Sequence, residues 1–501
     1  MKLSKKTNYS KRYIDQTIVS PSVRQMLQCG LIKKVSSGIY TYMPAGYKML
    51  LNLMEVVRKN LDHIDFEELH FPALVPTTLL GPQRSAALKD VLFKSKDYKG
   101  KEYYLAPTHE EVAVNVIKEF ISLESCPIKI FQIQTKYRDE LRPKGGLLRC
   151  KEFLMKDGYS FHSDYACLEQ TYNDMVSAYL NIFKELGIPI AVAQSDPGSM
   201  GGKINHEFHL LTSEGEDTLV MTEDKSYVAN LEIATYQCDP KVTRQESLRV
   251  SNYIYQNHLG EKYTLLLDIN SLINLNAVAN LLGKGEVIST NDDTWQLYPI
   301  YIDESCVHIS SNLMTHHDHK TYDLNHHVLK GAKINQLRYV KNGDLSIDGK
   351  PLQLHKGLEL GHTFQLLDYY TTSEGISIGP DTPVLMGCYG IGMSRLLAAC
   401  VIVGLDQGSE QFKLSSLVSG YKGIIISKMT VESQNIANAI YKKKSHYVLD
   451  DRTDDLRSKI KEAYIQGYEN IIIVSNTDQI EFIDRINNVT SIMNLDQVLR
   501  I

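Results

Sequence analysis

No stretch of the chain approaches the ~18 to 20 consecutive apolar residues that a membrane-spanning helix needs, which excludes a helical membrane protein. Paired cysteines are missing as well. Cys29, Cys126, Cys150, Cys167, Cys238, Cys306, Cys388 and Cys400 are scattered without C-x-x-C spacing. That argues against a disulfide framework or a zinc cluster and suits a reducing compartment. There is no internal repeat and no low-complexity tract. Tryptophan is nearly absent, and Trp295 is the only one. A large excess of one charge sign is absent too, since the formal net charge is −5. This does not exclude a nucleic-acid partner, because phosphate binding needs a local basic patch rather than a basic total. What remains, 43% hydrophobic and 23% charged residues, describes an ordinary soluble intracellular chain. Its 501 residues exceed one core, so two or three domains are expected.

The amino terminus is basic, hydroxylated and poor in acids. Lys2, Lys5, Lys6, Lys11 and Arg12 precede the first acid, Asp15, with Ser4, Thr7 and Ser10 among them. Such a stretch reads either as an organelle transit segment or as solvated lysines before the first helix.

Further on, Leu50, Met54, Val57 and Leu61 recur at helical spacing, so a helix is expected from Gly46. A strand over Glu67 to Phe71 should stop at Pro72, which lacks the N–H a ladder needs. Residues 128 to 157 read as two long strands joined by a basic, glycine-containing loop, and Glu169 to Leu186 as a helix. Between about 235 and 355 the patterning weakens, as in an inserted module. Strands from Leu358 and near Val384 then lead into a helix after Gly392. The tail alternates strand and helix (423–427, 432–444, 447–450, 454–466, 470–475), which implies a small α/β domain. The expected division is 1–234 and 356–410 for an antiparallel α+β body, 235–355 for the insertion and 411–501 for the tail.

Two segments carry chemistry. Along 128–140, Phe131, Ile133 and Tyr137 fall on one face and Gln132, Gln134, Lys136, Arg138 and Glu140 on the other. Such a polar face could simply meet water. The partner strand, however, places Lys151, Phe153, Met155 and Asp157 together. One aromatic among charges suits a flat heteroaromatic bearing phosphates, with Phe153 stacking a base and Arg138 forking onto phosphate or carboxylate. The loop Arg142-Pro143-Lys144-Gly145-Gly146 would close over the phosphate tail. The second segment, Gly387 to Arg395, has glycines at neither the phosphate-loop nor the dinucleotide spacing. Its interest is Arg395, a charge in the first turn of an apolar helix, which is costly there without an anion. Arg138 and Arg395 are therefore read as clamping one polyphosphate.

The order of these features resembles the three signature motifs of class II aminoacyl-tRNA synthetases: helix, strand and Pro72; Arg138-Asp139-Glu140 with Arg149 and Phe153; Gly390-Ile391-Gly392 running to Arg395. The wording narrows the resemblance to the bacterial and organellar type of prolyl-tRNA synthetase, in Ser37 to Tyr42, Pro107-Thr108-His109-Glu110-Glu111, Lys156 to His162, Gly201-Gly202 through Phe208, and Gly361-His362-Thr363-Phe364-Gln365. It is close over about 20–235 and 355–400 and loose elsewhere. The resemblance implies a class II antiparallel catalytic domain, a degenerate inserted module and a C-terminal α/β anticodon-binding domain. It implies an enzyme that joins L-proline, ATP and tRNA(Pro), with Mg²⁺, as a homodimer in the mitochondrial matrix or a bacterial cytoplasm. By the same resemblance Thr108 and Glu110 hold the proline amine, Arg138 bridges its carboxylate to the α-phosphate, and Met155, Asp157, Tyr159 and His362 belong to the proline pocket. Arg149, Phe153, Glu140 and Gln365 hold the nucleotide, and Arg395 takes the γ-phosphate side.

The chain also departs from that pattern. Lys144 and Lys151 stand where the family usually has arginines, which keeps charge but loses the fork. In the inserted module the lysine associated with hydrolysis of mischarged alanyl-tRNA falls on Ala277, so loss of editing is expected. His316, His317, His319, His326 and His327 crowd together and read as a polar loop rather than a metal site. In the tail, Lys442, Lys443, Lys444, Arg452, Arg457, Lys459 and Lys461 form a basic patch suited to tRNA. The competing reading is a catalytically silent paralogue that binds tRNA or amino acid. A synthetase for another amino acid is a further alternative, which Thr108-His109-Glu110 argues against.

Overall fold

Alternating side chains on both sides of a basic loop make 128–162 a hairpin, and it forms the middle of the main sheet. The computed structural model describes residues 1–5, 7, 9–10, 18–122, 125–196, 200, 204–238, 248–291, 294–310, 312–315, 321–323, 329, 331–378, 382–406 and 412–500. The chain divides into two compact units, one comprising Met1–Ile190, Pro197–Asn205 and Leu360–Ile501, the other Ala191–Asp196 and His206–Glu359.

In the first unit β1 (Ile128–Tyr137) pairs antiparallel with β2 (Glu152–His162), with Ile128 opposite Phe161 and Tyr137 opposite Glu152. The second half of β3 (Leu352–Leu367) and β4 (Leu385–Ile391) extend the sheet, β4 lying between β3 and β2. Side chains alternate across these strands, so the sheet has two distinct faces. One is covered by three helices, α1 (Pro44–Asp62), α3 (Tyr165–Glu185) and α4 (Met393–Asp406). The other is covered by the segment that contains α2 (Glu110–Ile117). Pro44 opens α1, where its missing N–H is not needed, and Asp164 caps α3 by accepting the N–H of Cys167 at 2.9 Å. The helices seal their face with Leu50, Leu53 and Val57 of α1 and Leu168, Tyr172, Met175 and Tyr179 of α3. Inside that layer sits Lys156, fully buried, donating to the Tyr179 hydroxyl at 2.9 Å and the Tyr389 carbonyl at 3.2 Å. Burial pulls its pKa down to about 7.

The strand expected over Glu67–Phe71 shrinks to Glu67–Glu68. The N–H of Phe71 leaves the ladder to donate to Gln132 Oε1 at 3.0 Å, and Pro72 has no N–H to offer.

The tail follows the expected alternation through β5 (Gly423–Ser427), α5 (Val431–Lys443), β6 (Tyr447–Asp450), α6 (Leu456–Ile465) and β7 (Asn470–Val474). It then adds an unforeseen antiparallel pair, β8 (Ile480–Asp484) and β9 (Val489–Met493), and a last helix α7 (Leu495–Arg500). The sheet order is β6-β5-β7-β8-β9. Lys2 runs parallel to Leu449 on the outer edge, where the Leu449 N–H donates to the Met1 carbonyl at 2.8 Å. Ser4 donates to Asp451 through its N–H at 2.8 Å and its hydroxyl at 2.7 Å. Part of the basic amino terminus therefore belongs to the folded tail, while Lys6, Lys11, Arg12 and Asp15 lie outside the described residues.

The tail corrects part of the proposed basic patch. Arg452 forks onto Asp450, with contacts of 2.9 and 2.6 Å, and reaches Glu462 at 2.9 Å. Lys459 is buried and donates to the Asp450 carbonyl at 3.4 Å. Neither presents a free charge. Lys442, Lys443, Arg457 and Lys461 are exposed, and Lys444 is half-buried over the Tyr447 ring.

The second unit takes in residues on both sides of 235. In it Asp217–Thr222 pairs with Leu352–Gly357, the first half of β3. A second sheet has two central strands, Leu248–Asn257 and Lys262–Asp268. Asp303 is its buried anchor, accepting from the Tyr236 hydroxyl at 2.9 Å and from the N–H groups of Leu337 and Arg338 at 2.8 and 3.1 Å. The five clustered histidines lie outside the described residues, as do Gly201 and Gly202. No described helix is long and apolar enough to cross a membrane.

Candidate active site

On the face away from α1, α3 and α4, the register sets Gln132 opposite Asp157, Gln134 opposite Met155 and Lys136 opposite Phe153. Beyond them, the Arg138 N–H donates to the Lys151 carbonyl at 2.9 Å. β4 contributes Cys388 and Gly390 to this face, and β3 contributes His362 and Phe364. Gly390 leaves room for the Met155 side chain, since a Cβ there would lie 2.4 Å from its terminal methyl. The polar side of β1 is not a water-facing surface, because Gln132 and Lys136 are fully buried.

One end of the face is an interior polar network under the segment that starts α2. Lys136 Nζ lies 2.7 Å from Asp157 Oδ1, and Gln132 Nε2 and the Tyr159 hydroxyl donate to Asp157 Oδ2 at 2.9 and 2.8 Å. Burial alone would raise the Asp157 carboxyl, but Lys136 and His109 outweigh it and hold the group well below the usual carboxylate range. The His109 ring lies 2.6 Å from Lys136 Nζ through Nδ1 and 3.0 Å from the Pro72 carbonyl through Nε2. Its backbone N–H donates to the Tyr159 hydroxyl at 3.1 Å. The network thus fixes the main chain on which Thr108 and Glu110 stand.

Thr108 donates its hydroxyl to the Glu110 carboxylate, 2.7 and 2.6 Å from the two oxygens. Glu110 is 1% exposed, with the Cys388 thiol donating to Oε1 at 3.3 Å and Arg84 Nη2 3.8 Å from Oε2. Arg84 Nε makes a closer pair with Glu111 Oε1 at 2.8 Å. Burial and the neighbouring Glu110 raise the Glu111 carboxyl against the pull of Arg84. The result is a hydroxyl–carboxylate pair, with Glu110 buried and Thr108 half-buried.

The other end gathers arginines around the β1–β2 loop. The Arg138 guanidinium lies 5.2 Å over the Phe153 ring and reaches the Pro107 carbonyl at 3.4 Å, so it stands between the ring and the Thr108 segment. Arg149 pairs with Glu140 at 2.8 Å. Gly145 and Gly146 have φ of +64° and +61°, values that favour glycine, and turn the loop back on itself. Arg395 Nε donates to the Leu148 carbonyl of this loop at 3.0 Å. Ser394 fixes the start of α4 by accepting the Leu154 N–H at 2.8 Å.

The structure brings Thr108, Glu110, Asp157 and Tyr159 to one end and Arg138, Glu140, Arg149, Phe153 and Arg395 to the loop end, with Met155 between. Asp157 and Tyr159 lie beneath the Thr108–Glu110 segment and support it. His362 shares a row with Gly390 and Asp157, stacks on Phe364 at 3.8 Å and lies 2.9 Å from Asn205 Oδ1. Gln365 is the exception. Three residues beyond His362, it falls on the helix-covered face, is 2% exposed and accepts from the Tyr165 hydroxyl at 3.2 Å. The sheet separates it from the nucleotide end. Nothing in the sequence marked a role for Arg84 or Cys388, and His109 stood within the Thr108-His109-Glu110 motif without a role of its own.

Residues 93–403 match the family model for the tRNA synthetase class II core domain (G, H, P, S and T), and the chain belongs to that class of enzymes. A proline–tRNA ligase of Psychrobacter arcticus is 30% identical, covering 95% of this chain and 95% of its own length. Another, from Francisella tularensis, is 33% identical over 77% of this chain and 78% of its own length. Within the class the chain is a member of the proline–tRNA ligase family. Solved prolyl-tRNA synthetases share its fold: that of Cryptosporidium parvum complexed with halofuginone and AMPPNP has a TM-score of 0.60 at 12% identity, covering 95% of this chain and 75% of that one. That of Giardia lamblia in complex with prolyl-adenylate also has a TM-score of 0.60 at 12% identity, covering 95% and 74%.

Proposed function

We propose that the protein activates L-proline with ATP, taken as its magnesium complex, and transfers the prolyl group to tRNA(Pro). The observation that carries this reading is the half-buried Thr108 hydroxyl paired with the buried Glu110, separated from the Phe153 ring by Arg138. Proline's ring amine is a cation at neutral pH with two N–H donors, which a carboxylate and a hydroxyl oxygen accept. Arg138 then meets the substrate carboxylate and the α-phosphate together. The proline carboxylate attacks the α-phosphorus and pyrophosphate leaves, which requires no base on the nucleophile. Alignment and neutralisation of charge are the enzyme's task. Phe153 stacks the adenine, Glu140 and Arg149 hold the nucleotide, and Arg395 receives the γ-phosphate side. Met155 and His362 border the ring of the amino acid.

Amino-acid-dependent exchange of pyrophosphate into ATP tests the reading across all twenty amino acids. Proline should support the fastest exchange, with smaller alanine trailing by at least the roughly 10- to 200-fold that one missing methylene provides. Faster exchange with any other amino acid, or none with proline, contradicts it.

On the same reading residues 411–501 form the anticodon-binding domain, and Lys442, Lys443, Lys444 and Arg457 meet tRNA phosphates. The enzyme works as a homodimer, as class II resemblance implies. The named relatives are bacterial, which supports a bacterial cytoplasm; the mitochondrial matrix rests on the basic amino terminus alone. The helix Leu275–Leu282 carries Ala277 and no lysine, so Ala-tRNA(Pro) should survive incubation with the enzyme. Rapid deacylation would overturn that expectation.

A further inference from the structure

We infer that Arg84, in the short helix Pro82–Ala87, is the positioning residue that supplies the countercharge to the buried Glu110–Glu111 pair and so lets Glu110 receive the substrate amine. The inference rests on the proposed function and deepens it, because it says what allows a nearly fully buried carboxylate to receive a cation. Glu110 and Glu111 are adjacent, and both are buried. Two like charges in so little water share a proton unless a cation offsets one of them. Arg84 is itself buried, 2.8 Å from Glu111 and 3.8 Å from Glu110, and its guanidinium lies 5.3 Å over the Tyr370 ring.

The groups that face Glu110 come from every element around it. Thr108 and Glu111 are on its own segment, Cys388 is on β4, and Tyr104 and Tyr370 flank it. Tyr159 and Asp157 are on β2 and Lys136 is on β1. Among these described residues the cations are Arg84 and Lys136, and Lys136 is committed to Asp157 at 2.7 Å. Arg84 is left to balance the two glutamates. Its contact with Glu111 offsets one negative charge of the pair, and the second oxygen of Glu110 faces the same guanidinium.

The test is the pH profile of the proline KM in pyrophosphate exchange. In the unaltered protein KM should be nearly flat from pH 6.5 to 8.5. In Arg84→Met the pair retains a proton at neutral pH, so KM should rise about tenfold or more at pH 6.5 and recover towards pH 8.5, with kcat at saturating proline little changed. Arg84→Lys keeps the charge and should restore most of the affinity. Arg84→Met combined with Glu111→Gln removes both charges and should return a low, flat KM. That double variant also carries the test if Arg84→Met does not fold. A KM raised equally at every pH, no rescue by lysine, or a double variant no better than Arg84→Met overturns the inference. An unaltered protein that shows no exchange with proline refutes the proposed function instead, whatever the Arg84 variants do.

Discussion

Arg138→Ala should lower proline-dependent exchange by about 10²- to 10³-fold in kcat, the usual effect of removing one preorganised donor from developing charge. The structure puts the weight on this residue. Its guanidinium lies over Phe153 at one side and reaches the Pro107 carbonyl at the other, so it spans the two halves of the candidate site. Arg138→Lys keeps the charge but presents a single ammonium in place of a planar fork, and should recover only part of the loss. Both variants should remain folded, because the side chain is only half-buried and its backbone N–H still pairs with Lys151. Unchanged kcat in Arg138→Ala would remove the residue from the reaction.

The second large effect falls on stability. Lys136→Met should cost about 3 to 5 kcal/mol, the typical penalty for leaving one member of a buried ion pair without the other. Asp157 retains Gln132, Tyr159 and, 3.6 Å away, His109, but loses the nearest cation, at 2.7 Å. The sign of the pH dependence follows from Asp157, whose carboxyl is held low in the folded protein. A depressed carboxylate contributes stability that is complete above the ordinary range near 4 and is lost as pH falls towards the folded value. Without Lys136, burial pushes the carboxyl up against the His109 contact, and its ionisation contributes less stability. The gap between the two proteins should therefore widen from pH 4 to pH 7 in urea titrations. Adding Asp157→Asn should close much of it. A gap that is constant with pH would show that Lys136 acts through packing alone.

The candidate site was legible in outline because its central device has a period of two. Gln132, Gln134, Lys136 and Arg138 had to share a face, and the hairpin brings Phe153, Met155 and Asp157 opposite them. That face is buried under the Thr108–Glu110 segment, a fact alternation cannot supply, since a polar face reads equally well as a wet one. Gln365 went astray for the opposite reason. It stands close to His362 in the sequence, yet three residues along a strand reverse the side on which a side chain emerges. Arg452 was misread because its partners Asp450 and Glu462 come from a strand and a helix that only the fold brings together. Arg84 left no signal, since a buried charge on a six-residue helix has no period to betray it. The hairpin of β8 and β9 was missed because its outer strand is half-exposed and mixed in character.

The account rests on an amine site and a phosphate site sharing one face of one sheet. A crystal structure of the protein with a non-hydrolysable prolyl-adenylate analogue tests that directly. The ring nitrogen should lie within hydrogen-bonding distance of Glu110 and Thr108, the phosphate mimic against Arg138, and the adenine on Phe153. A ring nitrogen turned away from Glu110, or an analogue bound elsewhere in the chain, would contradict it.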